Sequence, residues 1–319
     1  MENERNSPSS LRVGIVGTGA MGTNHLRVAR SIPGITITAA ADRDPAQLQT
    51  AMQAQPVPTV GHYRDMLPEV DAVMVSTPTE SHFEIARFFI SHGRHVLVEK
   101  PMTRTLEEAD ELIRLASTHG VVVGVGHLER FNPAVQWVRP RVDKPLFIES
   151  QRLGPFSPRS LDVDVIMDLM IHDLDIILDM DPSPVQAIHA VGVPIISPRF
   201  DIANVRLEFA SGLVANVTAS RVSQKKTRKL RIFQKNRYIS LDYKKRTVKS
   251  HSLQDGQVLE EIPTIPDEEP LANLWTRFRD SIHRDGEGNV GPAAARRALE
   301  LALRISQSIE EKISNRIPG

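Results

Sequence analysis

No cysteine occurs in the 319 residues of this chain. That excludes disulfides, thiolate metal sites and cysteine nucleophiles. Net charge is absent as well, with 39 basic against 39 acidic side chains. No overall field therefore draws nucleic acid or a membrane surface. No apolar run approaches the length of a bilayer span, so no membrane span is expected. Internal repeats and low-complexity stretches are missing. So is a G-x-S-x-G elbow, which argues against a serine hydrolase. Met1 to Ser10 is polar and acidic, unlike a signal or transit peptide, and reads as a disordered tail on a cytoplasmic protein.

What is present is enough chain for two domains, with 40% apolar residues to build their cores. Apolar strands at Leu11–Val16, Ile35–Ala41, Ala72–Ser76, His95–Val98 and Val121–Val125 alternate with helical stretches. One of those helices opens with the capping box of Thr105 and Glu108. This alternation predicts a parallel sheet with helices on both faces over 11–126. The rhythm then changes. Helix is expected at Asn132–Gln136 and Asp164–Met180, and strands crowd the stretch Val185–Val248, with a hairpin at Ala210-Ser211-Gly212. Two helices, Leu271–His283 and Pro292 to about Glu311, close the chain. The fold class is α/β: an N-terminal Rossmann domain, and an α+β domain over 127–319 with a largely antiparallel open sheet.

The segment Gly17-Thr18-Gly19-Ala20-Met21-Gly22 follows the first strand and opens a helix. Its glycines have G-x-G-x-x-G spacing, suited to a tight turn, close approach of a pyrophosphate and close helix packing. Asp42 ends the second strand, about twenty residues on, where a ribose-binding carboxylate sits. Its charge favours NAD over NADP, although the adjacent Arg43 weakens the exclusion of a 2′-phosphate. Further cofactor contacts are expected where later strands end, at Ser76, Thr77 and Pro78, at His82, and at Glu99 and Lys100.

Two downstream segments point to proton chemistry. Lys100, in Glu99-Lys100-Pro101, lies at the C-terminal end of a strand, where open α/β sheets bind ligands. It can hydrogen-bond a substrate hydroxyl. Asp168 and His172 stand four apart on one helix face, and the imidazole suits acid–base work near neutral pH. A metal reading of Asp164, Asp168, His172 and Asp175 lacks a second histidine, and no metal is expected. The basic stretch Arg221–Lys249 alternates with apolar residues, as a half-exposed sheet does, so no nucleic-acid partner is expected.

With these motifs in this order, the chain resembles the glucose–fructose oxidoreductase, inositol dehydrogenase and MocA (Gfo/Idh/MocA) family over nearly its whole length. The resemblance implies Lys100 and His172 as the catalytic pair, Asp168 in support, and homo-oligomers, dimer or tetramer, formed through the open sheet. The chain departs from the family in having Met170 where glycine is usual, two residues before the histidine. Gly126 to Ala134 and Leu153 to Ser160 are similar to the sugar-nucleotide branch of the family. That branch oxidises the 3-hydroxyl of UDP-N-acetylglucosamine to a ketone, which an aminotransferase converts on the way to 2,3-diamino sugars of lipid A variants. Substrate contacts would then come from Lys100, His127, Glu129, Arg130, Phe131, Asn132, Arg152, Arg159, Asp168 and His172, with the arginines on the diphosphate. Oxidation of a free sugar or inositol with NAD or NADP is the alternative within the class, and a silent dinucleotide-binding module the alternative outside it.

Overall fold

The computed structural model describes residues 10–156, 163–283 and 291–314. The expected tail lies outside them, apart from Ser10. The chain forms two compact units.

The first unit holds β1 (Leu11–Val16), α1 (Ala20–Ala29), β2 (Ile35–Ala41), α2 (Pro45–Ala54), β3 (Ala72–Val75), α3 (His82–Ser91), β4 (His95–Val98), α4 (Leu106–His119) and β5 (Val123–Val125). The strands form one parallel sheet in the order β2-β1-β3-β4-β5. β3 is buried throughout, and only Arg12 breaks the burial of β1. That explains their near-continuous apolar sequences, since helices cover both faces of a parallel sheet. Asp44 caps α2 by accepting from Ala46 N and Gln47 N, with Pro45 in the first turn. Thr105 and Glu108 close the capping box of α4, and Gly120 ends that helix in the left-handed region at φ +60°. β1 lies between β2 and β3, so successive connections leave it in opposite directions. Beyond the carboxyl ends of β1 and β3 this reversal opens the crevice where such sheets bind ligands.

The second unit holds α5 (Pro133–Val138), β6 (Phe147–Leu153), α6 (Ile171–Met180), β7 (Val185–Val193), β8 (Ile202–Phe209), β9 (Val214–Ser220), β10 (Thr227–Gln234), β11 (Arg237–Asp242), β12 (Thr247–Gln254) and β13 (Gln257–Glu261). Its eight-stranded sheet runs β13-β12-β11-β10-β6-β9-β8-β7, antiparallel except for the parallel pair β6–β9. The expected hairpin joins β8 to β9. Alternate residues of each inner strand, such as Ile148, Leu230, Ile232, Ile239 and Val217, face a core completed by Ile171, Leu174 and Ile177 of α6. The other face carries an aromatic row: Phe147 and Phe233 are 5.5 Å apart, Phe233 and Tyr238 4.8 Å, Tyr238 and His251 6.0 Å.

Two helices follow, α7 (Pro270–Ile282) and α8 (Pro292–Ser314). Residues Leu271–Arg296 cluster with the first unit and Arg297 onward with the second. This departs from a single run of 127–319. The reason is apolar: Leu274, Trp275 and Phe278 on one stripe of α7 are fully buried, and Trp275 reaches His25 of α1.

Candidate active site

In the first unit, the glycine loop has the geometry its spacing demands. Gly17 has φ +89°, and a Cβ there would stand 2.8 Å from the backbone of Ser76 and Thr77. A Cβ on Gly22 would stand 1.9 Å from the Gly17 carbonyl oxygen, so α1 and the loop pack too closely for any side chain. Gly19 caps α1 without a side-chain hydrogen bond, and the first turn carries no acid. Its amides are therefore presented to an anion rather than to a side-chain cap. A cavity of about 600 Å³ opens over this loop, lined by Gly17, Gly19, Ala20 and Met21, by Asp42 and Arg43, and by Ser76, Thr77 and Pro78. These residues fit a dinucleotide.

Asp42 is held from several sides. Its Oδ2 accepts from Thr18 N at 2.6 Å, Thr18 Oγ1 at 3.1 Å and Gln47 Nε2 at 2.9 Å, and its Oδ1 from Asp44 N at 2.9 Å. Burial disfavours its charge, but the hydrogen bonds outweigh that and hold its carboxyl below the ordinary range. Thr18 thus serves the cavity through Asp42; it is itself buried.

The other expected cofactor residues, His82, Glu99 and Lys100, are not among those lining this cavity. His82 is buried, with Nδ1 2.9 Å from Pro101 O and Nε2 2.8 Å from Thr77 O, so it ties the end of β4 to the end of β3. Burial pushes its pKa down against the pull of those carbonyls. Glu99 lies 2.8 Å from His25 Nε2 and accepts from Lys100 N at 3.1 Å. Burial opposes its ionisation, yet the His25 hydrogen bond and the neighbouring Lys100 hold the carboxyl below the usual range. Gly126 packs on this carboxylate, since a Cβ there would stand 3.1 Å from it. Lys100 is half-buried and its bond to Pro101 is cis. His127 is fully buried.

In the second unit, the expected helix Asp164–Met180 begins as a π-helical stretch, Ile166–Met170, and becomes α6 only at Ile171. Asp164 fixes its start by accepting from Ile166 N and Met167 N at 2.9 Å each, and from Ser306 Oγ. Asp168 therefore sits in a wide π turn and His172 in the first turn of α6, both half-buried. Met170 points into the core rather than outward. Among the described residues no group of three His, Cys, Asp or Glu could hold a metal ion.

Arg130 and Arg152, expected on a diphosphate, are committed to carboxylates of the chain itself. Arg152 is 2% exposed, bound by Asp173 at 2.7 and 3.1 Å and by Glu129 at 2.9 Å. Those charges, opposing the cost of burial, raise its pKa far above the usual value. Arg130 forks onto Asp175 with two 2.7 Å bonds and reaches Asp179 at 2.7 Å. Asn132 caps α5 and donates to Tyr243 O, and Phe131 is in the core. Arg159 lies outside the described residues.

The sequence reading missed several residues. Gln47 lines the cofactor cavity and holds Asp42; its place one turn into α2, just after the Asp44 cap, was the available signal. Tyr63 and Glu84 line the same cavity and are hydrogen-bonded at 3.0 Å, a pairing no spacing announces. Lys226 and Arg228 line a cavity of about 310 Å³ with Arg152 and Asp168.

The parallel sheet, the glycine loop and the carboxylate at the end of β2 together define a dinucleotide-binding Rossmann protein with a second, open-sheet unit. Residues 11–127 match the family model "Oxidoreductase family, NAD-binding Rossmann fold", and residues 135–239 match the "GFO/IDH/MocA C-terminal domain". The chain belongs to the Gfo/Idh/MocA oxidoreductase family, and it is an NAD-linked oxidoreductase. It is 36% identical over 310 residues to the UDP-N-acetylglucosamine 3-dehydrogenase of Acidithiobacillus ferrooxidans, covering 94% of this chain and 97% of that one. A solved structure of that enzyme superposes with a TM-score of 0.89 at 34% identity, over 94% and 98% of the two chains. A levoglucosan dehydrogenase in complex with NADH and levoglucosan shares the fold, with a TM-score of 0.86 at 18% identity over 94% and 97%.

Proposed function

We propose that this protein oxidises the 3-hydroxyl of UDP-N-acetylglucosamine to a ketone with NAD. The observation that carries the reading is the end-to-end likeness to the Acidithiobacillus ferrooxidans enzyme, at 36% identity with 97% of that chain covered. Likeness confined to the cofactor unit would support only a shared cofactor. Here it extends through the sheet unit, where a substrate is chosen.

NAD, when bound, supplies the acceptor for the hydride that leaves the sugar carbon. The chain's own part is to manage the proton. In this reading His172 takes the hydroxyl proton, and Lys100 hydrogen-bonds the same oxygen and stabilises its developing charge. Asp168 supports His172 or holds a second hydroxyl. Glu99, fixed by His25, keeps a carboxylate on the backbone amide of Lys100. Asp42 selects NAD over NADP by repelling a 2′-phosphate. Residues 11–126 act as the cofactor domain and the sheet unit as the substrate and oligomerisation domain. The aromatic row of Phe147, Phe233 and Tyr238 on the open sheet face is the surface we assign to homo-oligomer contacts, since exposed apolar rows mark such surfaces.

The product, a 3-keto sugar nucleotide, is the substrate form an aminotransferase needs, which suits synthesis of a 2,3-diamino sugar for a lipid A variant. Both NAD and UDP-sugars are cytoplasmic pools, and we place the reaction there. Among the described residues no helix is long and apolar enough to cross a membrane. The test is spectrophotometric: NAD reduction with UDP-N-acetylglucosamine, coupled to a glutamate-dependent aminotransferase to draw off the ketone. Turnover by the wild type that survives both Lys100→Met and His172→Asn would remove the proposed roles of those residues.

A further inference from the structure

The cavity of about 310 Å³ in the second unit is lined by four cations, and their charges are not equally balanced. Arg152 is neutralised by Asp173 and Glu129. Arg221 is spoken for by Asp201 at 2.8 Å, the Val163 carbonyl and Ser197 Oγ, both at 2.9 Å. Lys226 has no ion pair or side-chain hydrogen bond among the described residues. The closest carboxylate to Arg228 is Glu129 at 3.9 Å, which already binds Arg152 a full ångström closer. Lys226 therefore lines this cavity without a carboxylate of its own, and Arg228 with only a long pair to a carboxylate it shares with Arg152. Asp168 lines the same cavity.

Their mutual field is repulsive. Lys226 is held below the usual lysine range first by the charge of Arg228, then by burial, then by Lys244. A site where a cation is disfavoured is one where an anion is welcome. The same cavity is also lined by apolar Leu153, Pro155 and Phe156, and Phe156 is 48% exposed. An anion joined to a flat or apolar group matches both kinds of lining residue, whereas a simple carboxylate would use only the cations.

We propose that Lys226 and Arg228 bind the diphosphate of the sugar nucleotide, with its nucleoside against Pro155 and Phe156. The inference rests on the sugar-nucleotide reading above and gives the diphosphate a seat on Lys226 and Arg228, outside the motifs that suggested it. It moves the phosphate contacts from Arg130 and Arg152, whose guanidinium groups are already forked onto carboxylates. Lys226 and Arg228 are two apart and line the same cavity, so each can meet one of the two phosphates.

The experiment uses UDP as the probe, with the full chain and calorimetric titration, followed by steady-state kinetics on UDP-N-acetylglucosamine. For Lys226→Gln and Arg228→Gln the expected result is a UDP Kd and a substrate KM each raised about tenfold or more, the loss of one charge-assisted contact. kcat should change less than about twofold, since contacts remote from the reacting bond act on binding. Lys226→Arg should restore most of the affinity. NADH affinity, unchanged in both, reports an intact fold. Wild-type turnover and UDP binding that neither substitution alters would overturn the subsite and leave the sugar-nucleotide reading standing. Loss of NADH and UDP affinity together in the glutamine variants would overturn it too, as damage to the fold. A wild type that neither binds UDP nor oxidises the UDP-sugar would overturn the reading, and the subsite with it.

Discussion

The indole Nε1–H of Trp275 donates to Nδ1 of His25 at 3.1 Å, across 250 residues of sequence. The indole can only donate, so Nδ1 is the acceptor and the ring proton of His25 lies on Nε2. Nε2–H then donates to the Glu99 carboxylate, 2.8 Å away. One distant tryptophan thereby fixes which histidine nitrogen faces the carboxylate beside Lys100. Trp275→Phe keeps most of the ring volume and removes the donor. It should cost about 1–3 kcal/mol of stability, the penalty of a buried acceptor left without its partner. Urea unfolding of the two proteins gives the value; equal midpoints and slopes would mean the hydrogen bond contributes nothing.

Arg152 distinguishes a structural cation from a substrate contact. Arg152→Gln leaves the buried Asp173 without its cation and Glu129 with only the longer pair to Arg228. The expected loss is about 3–5 kcal/mol of folding stability. A raised KM at unchanged stability would show that Arg152 serves the substrate instead.

Asp42 has two duties, and a substitution separates them. Asp42→Ala removes the anion facing a 2′-phosphate and also frees the Thr18 and Gln47 donors. NADH binding should weaken by about tenfold or more, as expected for a lost charged hydrogen-bond partner. NADPH binding should weaken less, so that the ratio of the two affinities moves toward NADPH. Fluorescence titration with each reduced cofactor measures it. An unchanged ratio would limit Asp42 to shaping the loop.

Asp201 predicts a pH dependence of stability. It is buried; Oδ2 accepts from Ile195, Ile196 and Ser197 amides, and Oδ1 from Ser197 Oγ and Arg221 Nε. Burial pushes its pKa up, but these donors pull it far below the ordinary value. The folded pKa lies below the unfolded one. Its contribution is therefore fully present above the ordinary carboxylate range and is lost as pH falls through and below it. Asp201→Asn should be less stable than wild type at neutral pH, and the gap should narrow toward acid. A gap constant from pH 7 to pH 3 would contradict the assignment.

Much of the first unit is written locally. β1, β2 and β4 have the ends their apolar runs suggest, and α4 has both its box and its glycine stop. The cofactor loop is equally legible, because its three glycines answer steric demands a short segment can express. The π turn at Ile166–Met170 left no such mark: an apolar run with acids reads as plain helix, and only packing decides the wider turn. The return of Trp275 and Phe278 to the first unit was hidden for a related reason. An amphipathic stripe says that a helix is buried, not against what. For the arginines, residue type gives a charge and not its partner. Arg152 and Lys226 look alike in sequence, and only the positions of Asp173 and Glu129 tell them apart.

The most direct test of the account is reduction of NAD, followed as absorbance of the reduced cofactor, with UDP-N-acetylglucosamine beside free N-acetylglucosamine and inositol, each with and without the coupled aminotransferase. The account predicts turnover with the UDP-sugar, increased by the coupling, and little with either unphosphorylated compound. Turnover with free sugar or inositol and none with the UDP-sugar would contradict it.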